Sequence, residues 1–494
     1  MVSLNTAILR SPHRDLKAEA FDVVVIGAGI AGLVTSVRAA ELGLSCLVLE
    51  KGSGSYLCNS RITGGMFHIC MANMAKSEIE LLDAIRQSVP DFASSEIAST
   101  VAKNAIPALK WLRTQGIRLI KAMPQEAYWW VLAPPRVLSG DVPWRGRGGD
   151  VMLRQLEAKL LGRAGILSRA SHVLALEKRL DKRFMVTASV SEQTRTYLAK
   201  NVVIADGGFQ GNIEMLSRYI SPSPKALFQR CAPTGVGDGI RMAQMLGAKL
   251  IGMDTFYGHV LSQSVFNHAG LWPYPIMDRV VSVGMAVQRN GLRFMNEGLG
   301  GIYQANQIAK LDDPLSTFAV FDSAIWRTAG KHSRLSCPNP SLIKKGGTVF
   351  EASTLESLAQ AAGIQIEALI HSVESYNQHV KMNALSELKP PRSVNKFIPS
   401  MILEPPFFAV PLCAGITYTM GGIATDGCAR VLDQKDQVIE GLFAVGATTG
   451  GLEGGSTAGY VGGLAKAVTM GLEAAEVMAQ CVRKEPPSLP ISIG

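Results

Sequence analysis

Residues 21–50 read FDVVVIGAGIAGLVTSVRAAELGLSCLVLE, and the order of residue types in this stretch decides the fold. Residues 21–26 form a short apolar run rich in β-branched side chains, the pattern of a strand buried on both faces. The run passes directly into Gly27-Ala-Gly29-Ile-Ala-Gly32. Residues 33–42 then carry helical spacing, Gly43 closes the helix, and residues 44–49 read as a second strand ending at Glu50. Together they make a βαβ unit of about 30 residues.

Each part of the unit has a physical task. Gly27 permits a tight turn, Gly29 lets the backbone approach a pyrophosphate with Ala31 beside it, and Gly32 allows close helix–strand packing. The helix start offers bare N–H groups and a positive dipole. Glu50, 18 residues beyond Gly32, is placed to accept hydrogen bonds from a ribose. A dinucleotide site follows. The next stretch, KGSGSYLCNSRITGG at 51–65, is a loop of small residues and hydroxyls. Such a chain suits lying over a pyrophosphate and a ribityl group, an extension NAD dehydrogenases seldom need, with Lys51, Asn59, Ser60, Thr63, Gly64 and Gly65 as its contacts; a plain surface loop is the alternative.

Three later segments repeat the theme. AKNVVIADGG at 199–208 is a strand ending in a double glycine, and GVGDG at 235–239 opens a helix. GLFAVG at 441–446 is a strand leading into GGLEGGSTAGYVGG at 450–463 and then a helix at 464–479. A glycine-dense loop feeding a helix N-terminus can stabilise an anionic ring at the far end of a long cofactor.

Bulk properties narrow the class. At 494 residues the chain should divide into two or three domains, and 47% hydrophobic with 18% charged residues is a globular balance. The net charge of +9 is scattered rather than gathered into a basic stripe, which argues against nucleic acid and suits an anionic cofactor. The eight cysteines form no CxxC pair and show no zinc spacing. No apolar run reaches the roughly 18 residues of a membrane span. Residues 1–20 lack the apolar core of a secretory signal, so a flexible arm and a cytoplasmic protein are expected.

In this order, GAGIAGL with VLEK, NSRITGG, ADGGFQGN, GDGIRMA, NGLRFMNE at 290–297, TMGGIATD at 419–426 and VIEGLFAVG at 438–446 resemble one flavoprotein superfamily. It comprises fumarate reductases, succinate dehydrogenase flavoprotein subunits and 3-ketosteroid dehydrogenases, and the resemblance runs over residues 21–478. The NSR loop is also similar to that of tricarballylate dehydrogenases. The resemblance implies an α/β fold: a Rossmann-like FAD-binding domain in two stretches, 1–250 and 408–494, with an inserted α+β capping domain at 251–407. It adds Val173, Ala205, Gly207, Gly208, Asp238, Gly446, Gly463 and Leu464 to the FAD contacts. Residues 255–340, rich in aromatics, Pro and Gly with little periodicity, look like a lid, and 352–382 read as a helical pair turning at Ala362-Gly363. With no histidine between Lys51 and Gly65, where the succinate dehydrogenases carry a covalent link, FAD is expected to be non-covalent.

Members of this superfamily add or remove two hydrogens across a C–C bond beside an electron-withdrawing group. In the fumarate type an arginine follows the RFxNE motif by four positions; here that position is Gly301. The histidine before TMGG is replaced by Tyr418, and the C-terminal loop has Glu453 and Thr457 instead of His and Arg. In the ketosteroid type tyrosines act instead. Tyr460 with the Gly463 N–H matches the pair that polarises a ketone, while Tyr303 and Tyr418 compete to be the base. Tyr128 would supply a third phenol or a wall, and Arg136, Arg145 or Arg147 a carboxylate contact or plain loop charge. His259 and His268 read as structural, and Asp206 has no assigned part. The expected activity is an FAD-dependent desaturase acting α,β to a ketone, on a steroid-like or smaller oxo-alicyclic substrate such as an oxocyclohexane carboxylic acid. The alternatives are a tricarballylate- or fumarate-type enzyme and a flavoprotein subunit of an electron-transfer complex. The acceptor would be oxygen, a quinone or an electron-transfer protein.

Overall fold

The computed structural model describes residues 18–54, 56–121, 130–135, 144–271, 274–332 and 337–484. Its first sheet is built outward from Glu19–Ile26, which pairs in parallel with Cys46–Leu49 on one side and Gln193–Ile204 on the other. Ile166–Ser168 extends the sheet beyond the former, Val438–Ala444 beyond the latter, both again in parallel. Arg430–Leu432 closes one edge antiparallel, and Ser171–Lys178 with Phe184–Val190 folds back as a meander onto Gln193–Ile204. The absence of apolar/polar alternation in the first strand has a plain cause: both of its faces are covered. Val23 and Val25 pack toward helix Ile30–Glu41, while Val24 and Ile26 join the core that continues into the second sheet. That helix packs in turn against Gly148–Leu161 and the C-terminal helix Gly463–Lys484.

Two glycines make this packing possible. Gly27 has φ +99°, and a Cβ there would come within 2.7 Å of the Ala205 carbonyl oxygen. At Gly32 a Cβ would lie 2.0 Å from the Gly27 oxygen, so any side chain would push the helix off the strand.

The second sheet is organised by Phe407–Thr419, its longest strand. Phe228–Gln229, Phe256–Ser262, Thr317–Asp322 and Phe350–Ala352 all pair with it, and Met285–Gln288 lies beyond Thr317–Asp322. The stretch expected to be a lid at 255–340 therefore supplies three strands of a sheet. Thr317–Asp322 is buried at every position, which removes the two-residue period that would have marked it. The second sheet also takes Phe228–Gln229 and Phe407–Thr419, lying on either side of the expected cap boundaries. The helical pair is Leu355–Ala362 and Ile366–Met382, separated by Gly363 at φ +68°. Among the described residues no helix is long and apolar enough to cross a membrane.

The RFMNE motif fastens this second unit internally. Arg293 donates from Nε to Glu297 Oε1 at 3.0 Å and from Nη1 to the Pro390 oxygen at 2.9 Å, and the Glu297 side chain is fully buried. Arg392, also buried, stands with Nε 4.0 Å from Glu297 Oε2. One carboxylate thus serves two buried guanidinium groups. Glu297→Gln keeps the shape and removes the charge, and should destabilise the protein by about 3–5 kcal/mol. The check is the denaturant midpoint of unfolding; an unchanged midpoint would show that the clasp is not needed.

Candidate active site

A cavity runs along the carboxyl ends of the parallel strands, where Ile26, Leu49, Ala205 and Gly446 line it. Its walls come from distant parts of the chain. Gly27, Gly29 and Ala31 of the glycine turn, with Glu50 and Lys51, form one end. Asn59, Ser60, Thr63, Gly64 and Gly65 cover the middle, facing Val173, Gly207, Gly208 and Asp238. Gly463 and Leu464, at the start of the C-terminal helix, stand at the far end. Gly32 does not line the cavity; its place is the helix–strand contact described above.

The polar groups of the first end are tied to one another. Glu50 accepts from the N–H groups of Ala28 and Gly52, each at 2.8 Å, so one carboxylate pins both flanking turns. Ser60 Oγ accepts from the Ile30 N–H at 3.0 Å, and Asn59 Nδ2 donates to the Thr417 oxygen at 2.8 Å. Lys51 and His172 both contact Asp238 Oδ2, at 3.2 and 3.1 Å. Asp206, which has no assigned part in the sequence, now has one. Its Oδ2 accepts from Gly239 N at 2.7 Å, capping the helix Asp238–Met245, while Oδ1 is shut off from solvent with no partner. Burial pushes the carboxyl up to about 6.

The far end is aromatic. Tyr257 stacks on Tyr460 with ring centroids 4.3 Å apart, and lies 5.4 Å from the Tyr418 ring. His68 meets the Tyr460 ring edge-on at 5.4 Å. Tyr418 Oη donates to Glu453, 3.1 Å from Oε2. Glu453, wholly buried, also accepts from Val461 N at 3.1 Å and Gly462 N at 3.0 Å, and faces Lys466 Nζ at 3.5 Å. Tyr460 Oη accepts from Gly463 N at 3.3 Å, so a helix N-terminus polarises this phenol. Desolvation raises both Tyr418 and Tyr460 well above the ordinary tyrosine range, and the Glu453 charge adds to it. Both are neutral hydroxyls at physiological pH.

The structure thus brings Tyr418, Tyr460 and Gly463 together at the cavity. Tyr303 sits elsewhere, on the helix Gly301–Ala309, packed against the core of the second unit and not lining the cavity. Arg147 precedes the helix Gly148–Leu161, and neither it nor the exposed Arg145 lines the cavity. Tyr128 and Arg136 lie outside the described residues. Sequence reasoning passed over Tyr257, His68 and Arg230, all of which line the cavity. The available signal for Tyr257 was its spacing of two from His259 within one strand, which puts both on one face. Arg230 donates from Nη1 to Thr417 Oγ1 at 3.1 Å, and its buried Nε has no partner.

The FAD binding domain profile matches residues 22–460. Among curated proteins, the vinyl phenol reductase of Lactiplantibacillus plantarum is 24% identical, over 89% of this chain and 92% of its own length. The 4-oxocyclohexanecarboxylate 2-dehydrogenase of Sinomonas cyclohexanicum is 27% identical, over 93% of each. The probable fumarate reductase Ifc3 of Shewanella frigidimarina is 27% identical, over 88% of this chain and 71% of its own. Among solved structures, the 3-ketosteroid Δ1-dehydrogenase of Sterolibacterium denitrificans superposes with a TM-score of 0.70 at 22% identity, covering 94% of this chain and all of that one.

The residues present fit a dinucleotide with a flavin at the aromatic end. A row of glycines leaves the floor open, two helix N-termini face its ends, and the orphaned Asp206 Oδ1 is an acceptor awaiting a hydroxyl donor. In the unfolded chain Asp206 titrates near 3.8, in the fold at about 6, so the folded state holds the extra proton between those values. Its contribution to stability therefore falls as pH rises from about 4 to 6. In flavin-free protein, Asp206→Asn should gain stability relative to wild type across that window, measured by unfolding at a series of pH values. A difference constant with pH would mean that Asp206 is paired.

Proposed function

This chain belongs to the FAD-binding domain family and is an FAD-dependent oxidoreductase, and from that premise we propose that it desaturates the C–C bond α,β to a ketone. The substrate class is a small oxo-alicyclic acid of the oxocyclohexane carboxylate kind. The observation that carries the reading is the neutral Tyr460 hydroxyl, set on the Gly463 N–H at a helix N-terminus and opening into the cavity. A phenol so placed donates to the oxygen of a ketone and stabilises the enolate formed when the α-proton leaves. FAD, when bound, supplies the hydride acceptor for the β-carbon.

Arg230 suits the acid end of such a molecule. Among the described residues it is the one arginine lining the cavity, and its unpartnered Nε is a donor ready for a carboxylate. The stacked Tyr257 and Tyr460 rings suit a flat or alicyclic body between the two anchors. A single arginine grips one carboxylate, which favours a keto acid over a di- or tricarboxylate. The relative that acts on 4-oxocyclohexanecarboxylate supports the same class. Non-covalent attachment of FAD is part of the proposal: desolvation pushes the half-buried Cys58 thiol up to about 11, far from a reactive thiolate.

The purified protein should be yellow, and under anaerobic conditions 4-oxocyclohexanecarboxylic acid should bleach the flavin absorbance. Tyr460→Phe should slow bleaching by about 10²–10³-fold while flavin content is retained. Arg230→Met should raise the concentration of keto acid needed but not that of an uncharged cyclic ketone. Bleaching by succinate or tricarballylate and not by the ketone would overturn the reading in favour of the carboxylate-type alternative.

A further inference from the structure

We propose that Tyr257, His259 and Asp278 form a proton relay in which Tyr257 exchanges the α-proton with substrate. The proposal rests on the ketone reading above. Tyr257 and His259 lie on the same strand, Phe256–Ser262, two residues apart. The ladder to Phe407–Thr419 slips between Tyr257 and Gly258, so that Tyr257 faces Tyr418 while Gly258 faces Ile416. Such a bulge re-aims a side chain, and here it leaves Tyr257 stacked on Tyr460 at the cavity wall.

The hydrogen bonds run outward from there. Tyr257 Oη is 3.2 Å from His259 Nε2, and His259 Nδ1 is 2.6 Å from Asp278 Oδ2. Asp278 Oδ1 accepts from the Val260 N–H at 2.8 Å, which holds the carboxylate in place. A carboxylate can only accept, so the His259 proton belongs on Nδ1. Nε2 is then the acceptor for the Tyr257 hydroxyl. His259, which lines the cavity, and Asp278 keep 15% and 22% of their side-chain surface exposed.

Position 301 explains why the relay exists in this chain. A Cβ at Gly301 would lie 1.9 Å from Asp278 Cγ, so the carboxylate occupies the room a side chain there would need. This is the position that the resemblance to fumarate-type enzymes gives to an arginine. The two arrangements exclude one another, and the glycine is the condition for the relay.

During desaturation the α C–H bond breaks and its proton goes to Tyr257 Oη. The phenol's own proton moves to His259 Nε2, and Asp278 stabilises the imidazolium so formed. The electron pair of the α C–H bond becomes the new C=C bond, FAD when bound would take up the hydride from the β-carbon, and the one extra proton on the imidazolium is given up to water. The groups facing the relay are Tyr418 and Tyr460, with Glu453 behind Tyr418, and Arg230, beside which Tyr274 stands.

The test uses the holoenzyme labelled with ¹⁵N at its eight histidines, His259→Gln giving the assignment. At neutral pH His259 should show a protonated Nδ1 and a bare Nε2, and Asp278→Asn should abolish that preference. A proton on Nε2 in the wild type would overturn the relay. In anaerobic reduction by 4-oxocyclohexanecarboxylic acid, Tyr257→Phe should slow bleaching by about 10²–10⁴-fold with flavin content unchanged. Asp278→Asn should lower the plateau rate of bleaching, because the imidazolium formed in the step loses its partner. A Tyr257→Phe enzyme as fast as wild type would also overturn the relay. If the ketone does not bleach the wild type, the ketone reading falls, while the His259 nitrogen signals still decide the relay.

Discussion

A buried carboxylate must be fully satisfied, and Glu453 meets that demand by gathering the aromatic end of the cavity around itself. It takes the Tyr418 hydroxyl from the second sheet, the N–H groups of Val461 and Gly462 from the glycine-rich loop, and Lys466 from the C-terminal helix. Lys466 is itself buried, its ammonium weakened by desolvation, and donates onward to the Thr449 oxygen at 3.0 Å. The second sheet, the glycine-rich loop and the C-terminal helix are therefore held by one side chain. The orientation of Tyr460, and with it the approach of Gly463, follows from where that loop is pinned.

The same interaction separates the roles of the tyrosines. A phenol that donates to an ionised carboxylate keeps its proton, so Tyr418 is a fixed donor and a poor base. Tyr460 has its oxygen turned to a helix N-terminus and its hydrogen available to the cavity. Tyr257 has its hydroxyl 3.2 Å from the His259 Nε2. Three similar side chains within one cluster thus have three different electrostatic surroundings, and their chemistry diverges accordingly.

The sequence made the cofactor half of this molecule readable because its signals are local. Glycines 27, 29 and 32, the strand before them and Glu50 after them sit within one short stretch, and each has a single physical reason to be there. The remaining site is assembled through space. Asp278 reaches His259 only because residue 301 has no side chain, a contact that no spacing rule encodes. Tyr257 hides in a strand whose neighbours Phe256 and Gly258 are both buried, within a stretch that looks aperiodic. Tyr303 was singled out by its distance from RFMNE, but that motif is a buried clasp, and the helix that follows turns Tyr303 toward the core.

The overlap at position 301 also constrains how this site can change over generations. An arginine there cannot be accommodated while Asp278 stands in its path, and losing Asp278 first leaves His259 without its partner. The two residues are epistatic: each substitution alone passes through an intermediate that has neither device. Under the proposed relay, a lineage carrying the glycine is separated from one carrying an arginine there by a valley rather than by a single step.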